Sequence, residues 1–379
     1  MDLDHSHPAL DDLKARAKRK IPHFVWEFLD SGTGDDLAHL RNLAAFQKID
    51  LLPDVLTGGP EPDFSTRFLG HDYRLPFGIA PVGMSGLIWP DGEAILARVA
   101  REAGMPYCMS TMASMSPEEV AGDLGDGAWF QLYPPGDPEL RRDLLARARD
   151  AGFTAMVLTV DIPAPSRRER QRRADIRQPA AITPRIALQC ALRPEWSLGM
   201  LKRGRPTLAT LAKYADVKSP KPGTDHIGYR IRTSPDWAYL EALRAEWDGP
   251  LVVKGVMTPE PARRMVDMGV DAIWVSNHGG RQFDAVPPAI EALPGIRDAL
   301  GPNVPLIFCS GVQTGTDVLR AIAYGADFVM LGRAFHYGMG AFGETGAAHV
   351  VEILKDGLKA DMGQMGITRP TDVRARLAR

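Results

Sequence analysis

The chain has 379 residues, with 45 Lys plus Arg against 47 Asp plus Glu for a formal charge of −2. That balance offers no footing for nucleic acid, and the length suits one large barrel of roughly 250 residues with extensions. Three cysteines, Cys108, Cys190 and Cys309, lack metal-ligand spacing, and their odd number argues against a disulfide framework, so a reducing, cytoplasmic setting is expected. The start, Met1 to Asp12, is acidic and polar, unlike a secretory signal, and no window nears the roughly 18 uninterrupted apolar residues of a spanning helix.

Residues 8 to 30 carry Leu10, Leu13, Ala17, Ile21, Val25, Phe28 and Leu29 near helical spacing. Pro22 divides them into two helices, and Gly32 and Gly34 end the second. Residues 36 to 75, rich in Asp, Pro and Gly, read as an irregular connection. From Pro76 short apolar runs recur: Phe77 to Val82, Pro106 to Met109, Trp129 to Tyr133, Ala155 to Asp161, Leu251 to Gly255, Ala272 to Ser276, Pro305 to Cys309 and Asp327 to Leu331. Helical spacing separates most of them, as in Asp91 to Ala103, Pro138 to Ala151, Pro259 to Met268 and Thr316 to Tyr324. Alternation of this kind predicts an α/β fold, a closed (β/α)8 TIM barrel. The rival open sheet lacks a G-x-G-x-x-G after an early strand. We expect one domain over 1–379: N-terminal helices and connection (1–75), barrel (76–335) and C-terminal helices (336–379).

A long insertion, about 165–235, breaks the rhythm after the fourth run. Residues 162–235 hold 16 Lys plus Arg against 5 Asp plus Glu, a local +11 that leaves −13 elsewhere. Beside these cations stand Ile186, Leu188, Leu192, Trp196, Leu198, Met200 and Leu201. Cations beside Trp and Leu suit contact with an anionic membrane surface; the alternative is a lid or subunit contact with a solvated basic rim.

Active groups of such barrels lie at the C-terminal strand ends. Here those ends carry Pro81-Val82-Gly83, Ser110-Thr111, Gln131-Leu132-Tyr133, Thr159-Val160-Asp161, Lys254-Gly255 and Ser276-Asn277-His278. Polar groups gathered at one rim of an apolar barrel are costly unless they serve a ligand or one another. His278 and Arg281, three apart around two glycines, suit proton removal beside a gripped carboxylate. Gly311 to Asp317 and Gly332-Arg333 follow the last two strands, where helix N-terminal amides commonly bind phosphate. Phosphate there and ring-facing groups on the earlier strands describe a flavin mononucleotide better than a nicotinamide dinucleotide.

The stretch Ser276-Asn277-His278-Gly279-Gly280-Arg281-Gln282 resembles the signature of the FMN-dependent L-2-hydroxy acid dehydrogenases and oxidases. That family includes respiratory L-lactate dehydrogenase, glycolate oxidase and mandelate dehydrogenase. Phe130 to Tyr133, Leu158 to Asp161, Val253 to Gly255 and Leu331 to Arg333 match as well, and the likeness runs from about Ile21 to the C-terminal helices. The resemblance implies FMN as cofactor and oxidation of an L-2-hydroxy acid, lactate-like, bulkier or aryl, to the 2-oxo acid. His278 would be the base, Asp161 would orient its imidazole, Arg281 and Arg168 would bind the carboxylate, and Tyr133 would bind the substrate oxygen. Lys254 would stand at the flavin edge where negative charge develops. Pro81, Val82, Gly83, Ser110, Gln131, Thr159 and Ser276 would contact the flavin, with Ser310 and Gly311 beside it and Gly332 and Arg333 at its phosphate. Four positions depart from the pattern or shape the pocket: Phe28 replaces a tyrosine, Met112 borders the substrate, and Cys309 and Gln313 replace an Asp and an Arg that serve ribityl and phosphate.

The resemblance also implies a homotetramer. The basic insertion favours a quinone or other respiratory acceptor, with the chain peripheral on the cytoplasmic face of the inner membrane. An oxidase that reduces oxygen to hydrogen peroxide, and a barrel with a weakened flavin site in a binding or regulatory role, are the alternatives.

Overall fold

The computed structural model describes residues 2–176, 182–215 and 233–378. After a helical turn at Leu3–Ser6 come two helices, Leu10–Lys20 and His23–Asp30, parted at Ile21-Pro22 because proline cannot supply the amide a continuing helix needs. The connection expected to be irregular is partly ordered: it holds a helix, Leu37–Phe46, and a hairpin of β1 (Thr66–Phe68) and β2 (His71–Tyr73). Strands of three residues leave no periodic trace in a sequence, so tertiary contacts alone reveal this hairpin.

Eight parallel strands follow: β3 (Phe77–Ile79), β4 (Cys108–Ser110), β5 (Trp129–Leu132), β6 (Ala155–Thr159), β7 (Leu251–Val256), β8 (Ala272–Val275), β9 (Leu306–Phe308) and β10 (Phe328–Leu331). Their order is β3-β10-β9-β8-β7-β6-β5-β4, and a parallel bridge from Ile79 to Tyr107 joins the two ends into a barrel. All eight expected runs supply a strand. The strands stop sooner than the runs do, because Ala80 to Val82, Tyr133 and Val160-Asp161 have already turned into the loops above the rim.

Both faces of each strand are buried, which explains the continuous apolar runs. One set of side chains, including Cys108, Trp129, Val157, Val252, Trp274, Ile307, Phe328 and Met330, fills the interior. The alternate set, including Phe130, Leu158, Val253, Ile273, Phe308 and Val329, packs outward against the helices. The hairpin closes the N-terminal end of the barrel: Phe68 stacks on Phe328 at 5.0 Å, and the Tyr73 hydroxyl donates to Gly127 O at 2.8 Å and accepts from Trp129 Nε1 at 3.1 Å. The opposite end remains open.

Helices Gly92–Ala103, Pro138–Asp150, Trp237–Glu246, Pro259–Asp267, Ala289–Leu300 and Gly315–Ala323 surround the strands. The last helix, Arg333–Met365, starts directly from β10 and is broken at Phe342-Gly343, where Gly343 takes a positive φ of 61°. It packs along Leu10–Lys20, and Tyr337 stacks on Trp26 at 5.7 Å. Described parts of the insertion form short helices, Glu169–Arg173, Pro184–Ala191 and Pro194–Arg203, and a turn at Ala209–Tyr214. Trp196 seats this cover on the barrel, donating to Leu87 O at 3.1 Å and meeting Phe24 edge-on at 5.9 Å.

Candidate active site

Parallel register decides which side chains meet at the open rim. Ser110 pairs with Gln131, and Thr159 pairs with Lys254, itself beside Trp274. Above them lies a cleft of about 2030 Å³, larger than the roughly 300–1,000 Å³ of a typical small-molecule site. Its walls come from the β3 loop (Pro81 to Met84), Met112, Tyr133, the segment after β6, Lys254, the signature loop and the loops after β9 and β10, with the insertion across it.

His278 and Asp161, 117 residues apart, meet here: His278 Nδ1 lies 3.0 and 3.2 Å from the two carboxylate oxygens. A carboxylate only accepts, so the proton sits on Nδ1 and the lone pair on Nε2. Burial, with Lys254 nearby, outweighs the pull of Asp161 and lowers the His278 pKa to about 4, leaving a neutral imidazole at physiological pH. Burial also works against the Asp161 charge, yet His278 and Lys254 hold its pKa below the ordinary value. The same opposition acts on Lys254, where Asp161 prevails and raises its pKa. Gly255 makes this packing possible: its φ is +105°, and a Cβ there would lie 2.5 Å from Asp161 Cβ.

Ser276 Oγ collects three donors, Lys254 Nζ at 3.2 Å, the His278 amide at 3.0 Å and Cys309 Sγ at 3.2 Å. His278 itself has a positive φ of 56°. Ser310 Oγ, accepting from the Gly279 amide at 3.2 Å, and a reciprocal amide pair between Asn42 and Asn277 at 2.9 and 2.8 Å hold that turn. Asn42 was missed in the sequence because nothing local links the Leu37–Phe46 helix to the signature.

Arg281 and Arg333 converge on the carbonyl end of helix His23–Asp30. Arg281 donates to Phe28 O, Leu29 O and Ser31 O at 2.8–3.1 Å. Arg333, expected at a phosphate, spends its guanidinium on Leu29 O, Ser31 O, Gly279 O and the His39 ring. Helix-end carbonyls lack partners of their own and attract cations, which accounts for this turn of the side chain. Arg168, with φ +47°, is seated by its amide on Thr33 Oγ1 at 3.3 Å and by Nε on Ser166 Oγ at 3.1 Å. Just beyond it Arg170 bridges Glu27, Asp30 and Asp36, which docks the root of the insertion on the N-terminal helices. Burial lowers the pKa of Arg281, helped by repulsion from Arg168 and Arg333, and burial with repulsion from Arg333 lowers that of Arg168. Neighbouring cations with no carboxylate paired to them among the described residues form a site for an anion. The Phe28 ring lies 5.9 Å from the Arg281 guanidinium, and Tyr133, its pKa raised by burial, remains a phenol able to donate.

The rim suits a flavin ring. Gln131 Nε2 and Thr159 Oγ1 are buried without a hydrogen-bond partner, although Gln131 Oε1 accepts from Ser110 at 2.8 Å. Such atoms cost free energy unless a ligand meets them. Gly83 and Gly332 keep the floor low, since a Cβ would lie 2.9 Å from Met112 Cβ and 3.1 Å from Val82 Cγ2 respectively. Gln282, whose two amide atoms also lack partners, lines the same cleft and had been read only as part of the signature. The phosphate end differs from expectation. The amides of Gln313 and Thr314 donate to Asp317 Oδ2 at 3.1 and 3.2 Å, because Asp317 and Thr314 form a reciprocal cap on helix Gly315–Ala323.

Comparison with known proteins agrees with this geometry. The FMN-dependent dehydrogenase family matches residues 17–379. An L-lactate dehydrogenase of Pseudomonas aeruginosa (strain LESB58) is 38% identical over 358 residues, 93% of each chain. One from Yersinia pestis (strain Pestoides F) is 36% identical over 370 residues, 96% of each. Among solved structures, the monotopic membrane protein (S)-mandelate dehydrogenase superposes with a TM-score of 0.92 at 31% identity, covering 98% of both chains. Mandelate oxidase gives 0.83 at 33% identity, with 98% of this chain and 97% of that one covered. The chain belongs to the FMN-dependent dehydrogenase family, in the branch that oxidises 2-hydroxy acids.

Proposed function

We propose that the whole chain works as one unit that oxidises an L-2-hydroxy acid to the 2-oxo acid on FMN and passes the electrons to a membrane quinone. The observation that carries the reading is the His278 imidazole bonded to Asp161 at the rim, beside two guanidiniums that no described carboxylate pairs. Arg281 and Arg168 bind the substrate carboxylate, and Tyr133 donates to the substrate oxygen. His278 Nε2 takes a proton from the substrate, and Asp161 stabilises the imidazolium that results. Bound FMN would accept the two electrons and the second proton. Pro81, Val82, Gly83, Ser110, Gln131, Thr159, Ser276, Ser310, Gly311 and Gly332 border it, and Lys254 offsets the negative charge that develops at its edge. Phe28 and Met112 set an apolar border for the substrate side chain.

The insertion supports the acceptor assignment. Leu188 on Pro184–Ala191, Leu192 at its C-terminal cap, and Leu198 and Leu201 on Pro194–Arg203 are exposed, with Arg193, Lys202 and Arg203 beside them in the chain. No helix among the described residues is long and apolar enough to cross a membrane. In this reading the contact is peripheral and on the cytoplasmic face. The expected tetramer is part of the same proposal. Anaerobic mixing of the FMN-loaded protein with lactate, glycolate and mandelate in turn should bleach the flavin band and rank the acids. A band that none of them bleaches would refute the reading, and oxygen uptake would separate dehydrogenase from oxidase.

A further inference from the structure

We propose that this chain holds its flavin by the ring and ribityl chain and not by the phosphate, so that riboflavin and FMN bind with similar affinity. The proposal rests on the flavin reading above and concerns the other end of the same cleft. At the ring end, Gln131 Nε2 and Thr159 Oγ1 await partners and Lys254 supplies a buried cation. At the loops after β9 and β10 a phosphate would find the uncapped amides that open helix Arg333–Met365 but, among the described residues, no side-chain cation left free to join them.

Among the described cleft-lining residues of those two loops, Arg333 is the one cation, and four of its N–H groups are committed. Turning it outward would strip Gly279 O of its charge-assisted donor and leave Leu29 O and Ser31 O to Arg281 alone. Gln313 brings a neutral amide, and Cys309 brings a thiol that donates to Ser276 Oγ. Arg320, on the adjoining helix, is tied to Asp317 Oδ1 at 3.3 Å and Ile49 O at 2.9 Å. The N-terminus of helix Gly315–Ala323 is closed as well. Asp317 accepts from the amides of Gln313 and Thr314, so a carboxylate already occupies the positive end of the helix dipole. A phosphate brought there would meet that carboxylate while losing water, with no free guanidinium among the described residues to compensate it.

The test uses the full-length protein stripped of flavin and titrated separately with FMN and with riboflavin, following quenching of flavin fluorescence. The expected dissociation constants lie within tenfold of each other, with the FMN value nearly independent of salt. Gln313→Arg should tighten FMN about tenfold and leave riboflavin unchanged, since a charge-assisted contact is worth at least that factor. Gln313→Lys serves the same purpose should the arginine variant fail to fold. An FMN preference above tenfold in the unaltered chain would overturn the proposal and leave the flavin assignment standing. Absence of quenching by either flavin would overturn both.

Discussion

At the barrel rim, charged groups are buried and tied to one another, whereas on the insertion apolar groups stand exposed among scattered cations. Lys254, Asp161 and His278 shift one another's pKa, and Ser276 and Gly255 leave them little room to move. Leu201, by contrast, is 79% exposed on Pro194–Arg203. Geometry within a fraction of an ångström governs proton transfer, while adsorption to a surface needs only area and charge. The contrast divides the molecule into a part that performs chemistry and a part that determines where it is done.

Substitutions can break that division. His278→Gln should lower the rate of flavin reduction by about 10⁴-fold while the flavin stays bound, read by anaerobic stopped-flow and the visible spectrum. A variant that bleaches at the unaltered rate would remove His278 as the base. Asp161→Asn should cost about 10³-fold, because the imidazolium loses its counter-charge and the ring its enforced tautomer. Arg281→Lys replaces a planar fork by a point charge, and kcat/KM should fall roughly 10–100-fold; an unchanged value would move carboxylate binding elsewhere.

Acid titration sharpens the same contrast. The base works as neutral imidazole, so kcat/KM should be level near neutrality and fall as pH drops through about 4. Asp161 raises the His278 pKa, so residual activity of Asp161→Asn should persist to lower pH. Stability runs with the same sign. The unfolded histidine takes up its proton near 6.5, before the folded one does near 4, so this group begins to destabilise the fold below 6.5 and increasingly so down to about 4. The smallest effect on chemistry belongs to the insertion. Paired Leu198→Asp and Leu201→Asp should leave anaerobic flavin reduction unchanged while lowering co-sedimentation with anionic vesicles several-fold. Equal sedimentation would place membrane contact elsewhere.

Much of the site could be read from sequence because it is local. The strand-end polar groups follow apolar runs directly, and His278, Gly279, Gly280 and Arg281 are contiguous. The direction in which Arg333 points could not be read, since its partners, Leu29 O and Ser31 O, lie some three hundred residues away in the chain. The hairpin that plugs the barrel was likewise invisible, because Phe68 and Tyr73 gain their burial from Phe328 and Trp129.

Residue order alone determined the number of barrel strands, the near-neutral charge, the basic insertion and the chemistry available at each strand end. These depend on periodicity and on neighbours a few positions apart, where backbone geometry leaves few choices. Barrel closure decided the rest: it brought Asp161 to His278, left Gln131 Nε2 and Thr159 Oγ1 without partners, and turned two arginines onto one helix end. Those outcomes depend on which distant groups compete for each donor once water is excluded, and no short stretch of chain contains both competitors.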